Sequence, residues 1–262
     1  MNQSSNQTSN RILRFLSKWH AALMFYTCLP IPTNWSLEFR WVARWAVGVG
    51  AAIGGLLTIA DALFALLNLP PLVASTLVVA FGLLLTGGLH LDGVMDTADG
   101  LAVPDRSRLL SVMSDSRMGA FAGMAVVVLI LLKVVAIASI SQHRWFVLIL
   151  TPMWGRWAQQ WAIARYPYLK KEGKGAFHKA ALPTPLYALP SLLILIGMTG
   201  LLWLSSLTPT ALAIRSAISG LALSLLTNAY FVKQLGGHTG DTYGAVVEWT
   251  EAFLLCSLSG IV

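Results

Sequence analysis

The sequence predicts an all-α fold, a polytopic transmembrane helical bundle of six to seven spans, and three observations predict it. Of 262 residues, 56% are hydrophobic and 11% charged, whereas a domain in water carries about a quarter charged residues. Apolar runs close to the roughly 20 residues that cross a bilayer recur along the chain. The basic residues behind the net charge of +7 gather in alternate connections between those runs, the pattern that orients a membrane protein. A lipid bilayer is the expected partner and nucleic acid is not. Cys28 and Cys256 lie far apart in apolar surroundings, so no disulfide framework or zinc site is implied.

Residues 1–10, MNQSSNQTSN, read as a flexible polar tail without the apolar core of a signal peptide, and residues 11–262 as one integral membrane catalytic domain. Residues 11–32 mix Arg11, Arg14 and Lys18 with Phe15, Trp19 and Phe25 before the Pro30 and Pro32 breakers, which suits a helix lying on the membrane surface. Spans follow at about 45–67 and, after the Pro70-Pro71 turn, at 72–89. The next are at 119–140, 145–164, 186–206 and from Pro209 to about 232. The apolar end, 249–262, is short for a crossing unless it lengthens backward from Val246.

The N-terminal segment and the connections after spans two, four and six carry five, three, five and one Lys or Arg; those after the odd spans carry only Arg144. Basic loops face the cytoplasm, which puts the N-terminus inside. Within the spans, Asp61 and Arg215 sit at similar depth and either pair with each other or stand apart, pairing being the usual remedy for the cost of a lone charge in a bilayer. Lys133 either snorkels or packs inside the bundle. Arg156 faces either an anionic group in a polar cavity or a structural partner. Gly50/Gly54 and Gly119/Gly123 have the spacing that lets helices approach closely.

The chemistry concentrates between Gly87 and Gly123, which holds Asp92, Asp96, Asp99, Asp105 and Asp115, five of the eleven acidic residues. If the preceding helix continues, spacings of four and three put Asp92, Asp96 and Asp99 on one face. Like charges there call for a cation, and an all-oxygen donor set points to Mg²⁺ or Mn²⁺. With Asp115 from the next element, such a layout suits divalent ions that assist displacement at phosphorus. Asp92, Asp96, Asp99 and Asp115 are the candidate metal ligands. Asp105, after Pro104, reads as a turn residue, and a helix cap competes for Asp115. Gly93 and Gly100 would let a phosphate approach the backbone, and Arg117 and Arg156 supply guanidinium groups for phosphate. Lys174, between Gly173 and Gly175, either clamps a diphosphate or simply belongs to the basic loop that marks the cytoplasmic side. His90 suits a supporting hydrogen bond. In GGHTGDTYGAVVE, His238, Asp241 and Glu248 fit three roles: completing the metal site, accepting the nucleophile's proton, or reading a sugar hydroxyl.

At these residues the chain resembles the cobalamin 5′-phosphate synthase family, also called adenosylcobinamide-GDP ribazoletransferase. The motifs that carry the resemblance are GGLHLDGVMDTADGLA, MSDSRMGAFAG, LGGHTGDTYGAVVE and LMFYTCLPIP, which together span nearly the whole chain. The resemblance implies a bacterial inner-membrane enzyme with its site facing the cytoplasm. It would be Mg²⁺-dependent and would join α-ribazole or α-ribazole 5′-phosphate to the cobinamide phosphate of adenosylcobinamide-GDP, with release of GMP. Asp92, Asp96, Asp99 and Asp241 are then the candidate catalytic residues, and Arg117, Arg156, Lys174, His238, Gly93 and Gly100 the candidate substrate contacts. A weaker similarity to CDP-alcohol phosphotransferases rests on Asp96, Asp99 and Gly100 and thins after them, at Leu101-Ala102-Val103. A lipid-forming enzyme is the alternative reading. An ion-coupled transporter fits less well, because such sites sit near the bilayer midplane, whereas these carboxylates cluster at one face. Oligomeric state is not legible in the sequence.

Overall fold

The structure, a computed structural model, describes residues 2–32, 37–115, 117–170 and 175–260, with side chains from Leu13 onward. Lys174 therefore lies outside the described residues. The described residues form helices joined by turns, with an isolated bridge between Tyr168 and His238. Helix α1 (Asn2–Tyr26) buries Ala21, Ala22 and Tyr26 against Val42 and Ala46. It leaves Leu13 and Phe15 exposed, the one-sided pattern expected of a surface helix.

A short 3₁₀ segment, Phe39–Trp45, leads into α2 (Ala46–Leu66). Helix α3 (Pro71–Thr86) starts on a proline whose missing N–H is no loss in a first turn. The acidic stretch does not continue α3. Gly87 and Gly88 both take left-handed backbone, with φ of +58° and +69°. Their N–H groups close onto the carbonyls of Leu84 and Leu83, which ends the helix. The chain then restarts at a bend of 93° as α4 (Leu89–Leu101). Two consecutive glycines make that reversal possible without the steric penalty that a Cβ carries at positive φ.

The short α5 (Leu109–Val112) follows a turn in which Asp105 accepts from the Ser107 N–H at 2.9 Å, as a turn residue should. Then come α6 (Ala120–Ser139), α7 (Arg144–Arg165), the short α8 (Ala176–Ala181), α9 (Leu189–Leu204), α10 (Thr210–Leu235) and α11 (Gly240–Leu258). The apolar end of the chain thus does lengthen backward, as one continuous helix from Gly240.

Helix α7 is the axis of the bundle. Nearly every residue from Phe146 to Ala164 is buried, including Trp154, Arg156 and Trp157. Helix α2 presses onto it through Gly50 and Gly54: a Cβ on Gly50 would stand 2.6 Å from the Pro152 carbonyl, and one on Gly54 2.6 Å from Ile149 Cα. That pair acts as the sequence suggested. Gly119 and Gly123 do not. Nothing lies near a Gly123 Cβ, and Gly119 faces a carboxylate, not a helix.

Among the described residues four helical segments are long and apolar enough to cross a membrane: Phe39–Leu66, Ala120–Ser139, Pro185–Leu204 and Thr210–Leu235. The bent pair α3 and α4 makes a fifth if counted as one crossing. The expected six to seven spans counted α7 and the apolar end as well. Both helices are more polar than a lipid-facing span: α7 carries Arg156, Gln159 and Gln160, and α11 carries Asp241, Glu248 and Glu251. Their long faces meet protein rather than lipid, so apolar composition is not required of them.

Asp61 and Arg215 do not pair. Asp61 bonds Arg144, at 2.6 and 2.9 Å, whereas Arg215 reaches the Ser257 hydroxyl at 3.4 Å. Arg144 starts α7 directly beside α2, which linear depth counting does not reveal. Lys133 takes the interior option, with Nζ 2.5 Å from Glu248 and 2.8 Å from Glu251. A buried ammonium needs such partners.

Candidate active site

Three carboxylates of α4 share one face, as their spacing of four and three dictates. Asp92, Asp96 and Asp99 line a cleft of about 470 Å³ together with Asp115, Asp241, Lys170 and Arg117. The opposite side of α4 meets α11. A Cβ on Gly93 would stand 2.2 Å from the Asp241 carbonyl, and one on Gly244 3.0 Å from His90 Cα. The absence of both side chains lets the two helices touch backbone to backbone, which carries Asp241, in the first turn of α11, to the acidic face of α4. Gly93 is thus occupied by helix packing, not opened to a phosphate. Gly100 is likewise filled, by the Met113 side chain at 2.4 Å from a built Cβ.

The carboxylates differ in what already holds them. Asp99 accepts the backbone N–H of Gly119 at 2.6 Å and of Ala122 at 2.9 Å. It caps the N-terminus of α6 from a distance, where the exposed N–H groups and the helix dipole favour a negative charge. A Cβ on Gly119 would stand 2.5 Å from the same carboxylate, so that position needs glycine. The cap that the sequence offered to Asp115 belongs to Asp99. Asp115 is instead clasped by Arg117, with Nη2 to Oδ2 at 2.6 Å and Nε to Oδ1 at 3.0 Å. The hydrogen bonds from Arg117 pull the Asp115 carboxyl down to about 2. Arg117 is 88% exposed at the rim of the cleft. The carboxylates of Asp92 and Asp96 make no hydrogen bond or ion pair with a described residue, yet Asp92, Asp241 and Asp99 all bear electrostatically on Asp96, opposed by Lys170.

Lys170 is the cleft residue that sequence reading missed; it looked like one more charge in a basic loop. Its Nζ lies 3.0 Å from Asp241 Oδ2. The connection that brings it there is explicit. His238 donates its N–H to the Pro167 carbonyl at 2.9 Å and accepts from the Leu169 N–H at 2.8 Å. These bonds pin residues 167–169 beside the turn that starts α11. Thr239 then caps α11 by exchanging hydrogen bonds with Thr242.

His238 serves this loop and does not line the cleft. It is fully buried, its Nδ1 lies 3.1 Å from the Thr242 hydroxyl, and its ring stacks on Tyr243. Burial, reinforced by the Lys179 charge, lowers its pKa to about 3. The folded state therefore resists protonating His238, and the unfolded chain, near the ordinary 6.5, takes the proton first. Stability from this group is complete above about pH 6.5 and is lost as pH falls toward 3. Between pH 7 and pH 5 the loss is on the order of 1–2 kcal/mol. The measurement is the apparent melting temperature of detergent-solubilised protein across that range. The fall should shrink in His238→Gln, and an equal fall in both proteins would remove His238 as its source.

Arg156 does not reach the cleft either. It is fully buried against His90, and its guanidinium stands 5.1 Å from the Tyr26 ring centre. It shares a small interior cavity of about 60 Å³ with Lys133, Glu248 and Glu251. Its hydrogen-bond partner among the described residues is His90, which thus meets Arg156 rather than the cleft carboxylates.

Among the described residues no three His, Cys, Asp or Glu side chains converge closely enough to form a metal cage. The donors nevertheless fit a hard divalent cation: all are carboxylate oxygens, and those of Asp92 and Asp96 are unclaimed. Mg²⁺ in phosphate-handling sites is commonly held by one or two carboxylates, with water and substrate phosphate completing the shell. A cleft with free carboxylates along one wall and Lys170 and Arg117 at its edge is suited to that arrangement.

A protein from Thermosynechococcus vestitus named adenosylcobinamide-GDP ribazoletransferase is 50% identical over 242 residues, covering 92% of this chain and 96% of its own. Proteins of the same name from Trichormus variabilis and from a Synechococcus species are 49% and 45% identical, over 91% and 95% of this chain and 95% and 98% of theirs. No solved structure matches the chain. Residues 18–259 match the family described as cobalamin-5-phosphate synthase, and on that extent the chain belongs to the cobalamin-5-phosphate synthase family.

Proposed function

We propose that this protein transfers the cobinamide-phosphate group of adenosylcobinamide-GDP to α-ribazole or α-ribazole 5′-phosphate, late in cobalamin biosynthesis. The acceptor hydroxyl oxygen bonds to the phosphorus that carries cobinamide, the bond from that phosphorus to the bridging oxygen breaks, and GMP leaves. The hydroxyl proton departs to a base or to water. The observation that carries this reading is the single cleft in which Asp92, Asp96, Asp99 and Asp241 face Lys170 and Arg117.

Asp92, Asp96 and Asp99 are the residues that would hold Mg²⁺. When bound, the cation neutralises phosphate charge and lowers the barrier to displacement. Lys170 and Arg117 supply the chain's own positive charge toward the diphosphate; Arg117 reaches from an exposed rim and can exchange Asp115 for phosphate in the same bidentate geometry. Asp241 orients Lys170 and accepts from the Thr239 hydroxyl at 3.2 Å. The apolar helices support a bilayer setting, and the basic connections support a site facing the cytoplasm of a bacterial inner membrane.

The test uses purified protein with Mg²⁺, adenosylcobinamide-GDP and α-ribazole 5′-phosphate. GMP and the cobalamin phosphate should form together in equal amounts, and chelation of the metal should stop both. Release of CMP from a CDP-alcohol, with no GMP from the corrinoid, would replace this reading with the lipid-forming one.

A further inference from the structure

Behind the acidic cleft, on the other side of α4, lies an open groove of about 690 Å³ between α4, α6, α10 and α11. Val94, Thr97, Ala98 and Leu101 form its α4 wall, and their positions on the helix are opposite those of Asp92, Asp96 and Asp99. One helix thus presents carboxylates to the cleft and an apolar side to the groove.

The long wall is α10, one of the helices apolar enough to cross a membrane. Leu223, Leu226 and Tyr230 line the groove from it, and Leu226 and Tyr230 are exposed. Facing them on α11, Trp249 stacks on Phe253 with ring centres 5.4 Å apart. The wall's two threonine hydroxyls are already satisfied: Thr97 donates to the Gly93 carbonyl at 2.7 Å, and Thr227 to the Leu223 carbonyl at 2.9 Å. Such a surface, continuous with a lipid-facing span, suits a hydrocarbon chain.

The groove also has a charged end. Spacings of three, four and three put Leu223, Leu226, Tyr230 and Lys233 along one face of α10. Lys233 is exposed, and its ammonium makes no hydrogen bond or ion pair with a described residue. Arg106 is held at the same end of α10, donating to the Gln234 carbonyl at 3.1 Å and to its side-chain oxygen at 2.8 Å. The neighbouring Asp105 is turned to the Ser107 N–H and hydroxyl. Tyr230 stands one turn before Lys233, where a ring with a polar tip suits the headgroup level. From Leu223 to Lys233 the helix rises about 15 Å, half the roughly 30 Å hydrocarbon thickness of a bilayer.

We infer that this groove is a binding site for one anionic phospholipid, its acyl chain between α10 and α11 and its phosphate at Lys233 and Arg106. The assignment rests on the membrane setting proposed above, and the leaflet is the one on the side of the acidic cleft. Length and charge agree: the apolar stripe is one leaflet deep and ends in cations.

The test is native mass spectrometry of the full-length protein released from detergent micelles containing equal amounts of phosphatidylglycerol and phosphatidylcholine. One phosphatidylglycerol should stay bound per chain, favoured over phosphatidylcholine at least tenfold. Leu226→Trp, which fills the groove from an exposed position, should cut that retention tenfold or more. Lys233→Gln should keep a bound lipid but lower the preference for phosphatidylglycerol at least threefold. Thermal unfolding of each variant accompanies the measurement, and Lys233→Gln, at an exposed side chain, carries the test if Leu226→Trp does not fold. Equal retention of both lipids, or retention that neither substitution changes, overturns the assignment. A dimer that bears no lipid and is lost in Leu226→Trp overturns it in favour of a second copy of the chain. GMP release is followed in the same preparations. Protein that releases GMP but retains no lipid sinks the groove assignment while the proposed function stands; protein that retains phosphatidylglycerol as expected but releases no GMP sinks the function while the groove assignment stands.

Discussion

Asp96→Asn should lower turnover by roughly 10³-fold, equivalent to about 4 kcal/mol of transition-state stabilisation, with the melting temperature and membrane insertion unchanged. The expectation comes from what Asp96 does not do. Its carboxylate makes no hydrogen bond or ion pair with a described residue, so the isosteric amide removes a charge and breaks no contact. The charge itself sits among those of Asp92, Asp241 and Asp99, and crowding of this kind is unfavourable unless a cation is to be held there. Asp99→Asn provides the contrast. Its carboxylate accepts two N–H groups at the start of α6, and an amide keeps only one good acceptor. That variant should lose both activity and about 1–2 kcal/mol of stability. The measurements are steady-state GMP release and thermal unfolding on the same samples. Asp96→Asn with parental turnover would remove Asp96 from the metal-holding set, and Asp99→Asn with parental stability would deny Asp99 its capping role.

The contrast between those two residues also marks how far the sequence can be read. The spacing of Asp92, Asp96 and Asp99 correctly placed three carboxylates on one helical face, because helix periodicity is a local property. The helix limits were equally local, set by Pro70-Pro71, Pro209 and the apolar runs. What each carboxylate contacts is not local. Asp99 meets Gly119 and Ala122 only because α4 turns away from α3, and that turn was hidden by Leu89 and Leu91, which prolong the apolar pattern across two glycines. Lys170 reaches Asp241 through backbone bonds to His238 across some seventy positions of chain. No periodicity reports such a contact. Arg156 and Lys133 show the same limit from the other side: a buried cation in a span is visible in the sequence, but whether it meets ligand or carboxylate depends on which helix packs beside it.

Lys133→Met should be the most destabilising of these changes, lowering stability by about 3–5 kcal/mol. Lys133 is buried and holds both Glu248 and Glu251, at 2.5 and 2.8 Å. Its removal leaves two carboxylates in the centre of the bundle with Arg156 as the nearest remaining cation, and an unpaired buried charge is far costlier than the pair was favourable. The triple variant Lys133→Met, Glu248→Gln, Glu251→Gln removes the stranded charges and should recover most of the loss. The effect should extend to activity. Lys133 joins α6 to α11, and the N-terminal ends of those same helices contribute Ala122 and Asp241 to the cleft. Loosening the joint therefore spreads Asp241 and Lys170 away from α4, so Lys133→Met should lower kcat at temperatures where the protein is still folded. Equal melting temperatures for Lys133→Met and its parent would show that the ion triad does not hold α6 to α11. A stability loss without any change in kcat would show that the joint supports the fold but does not position the site.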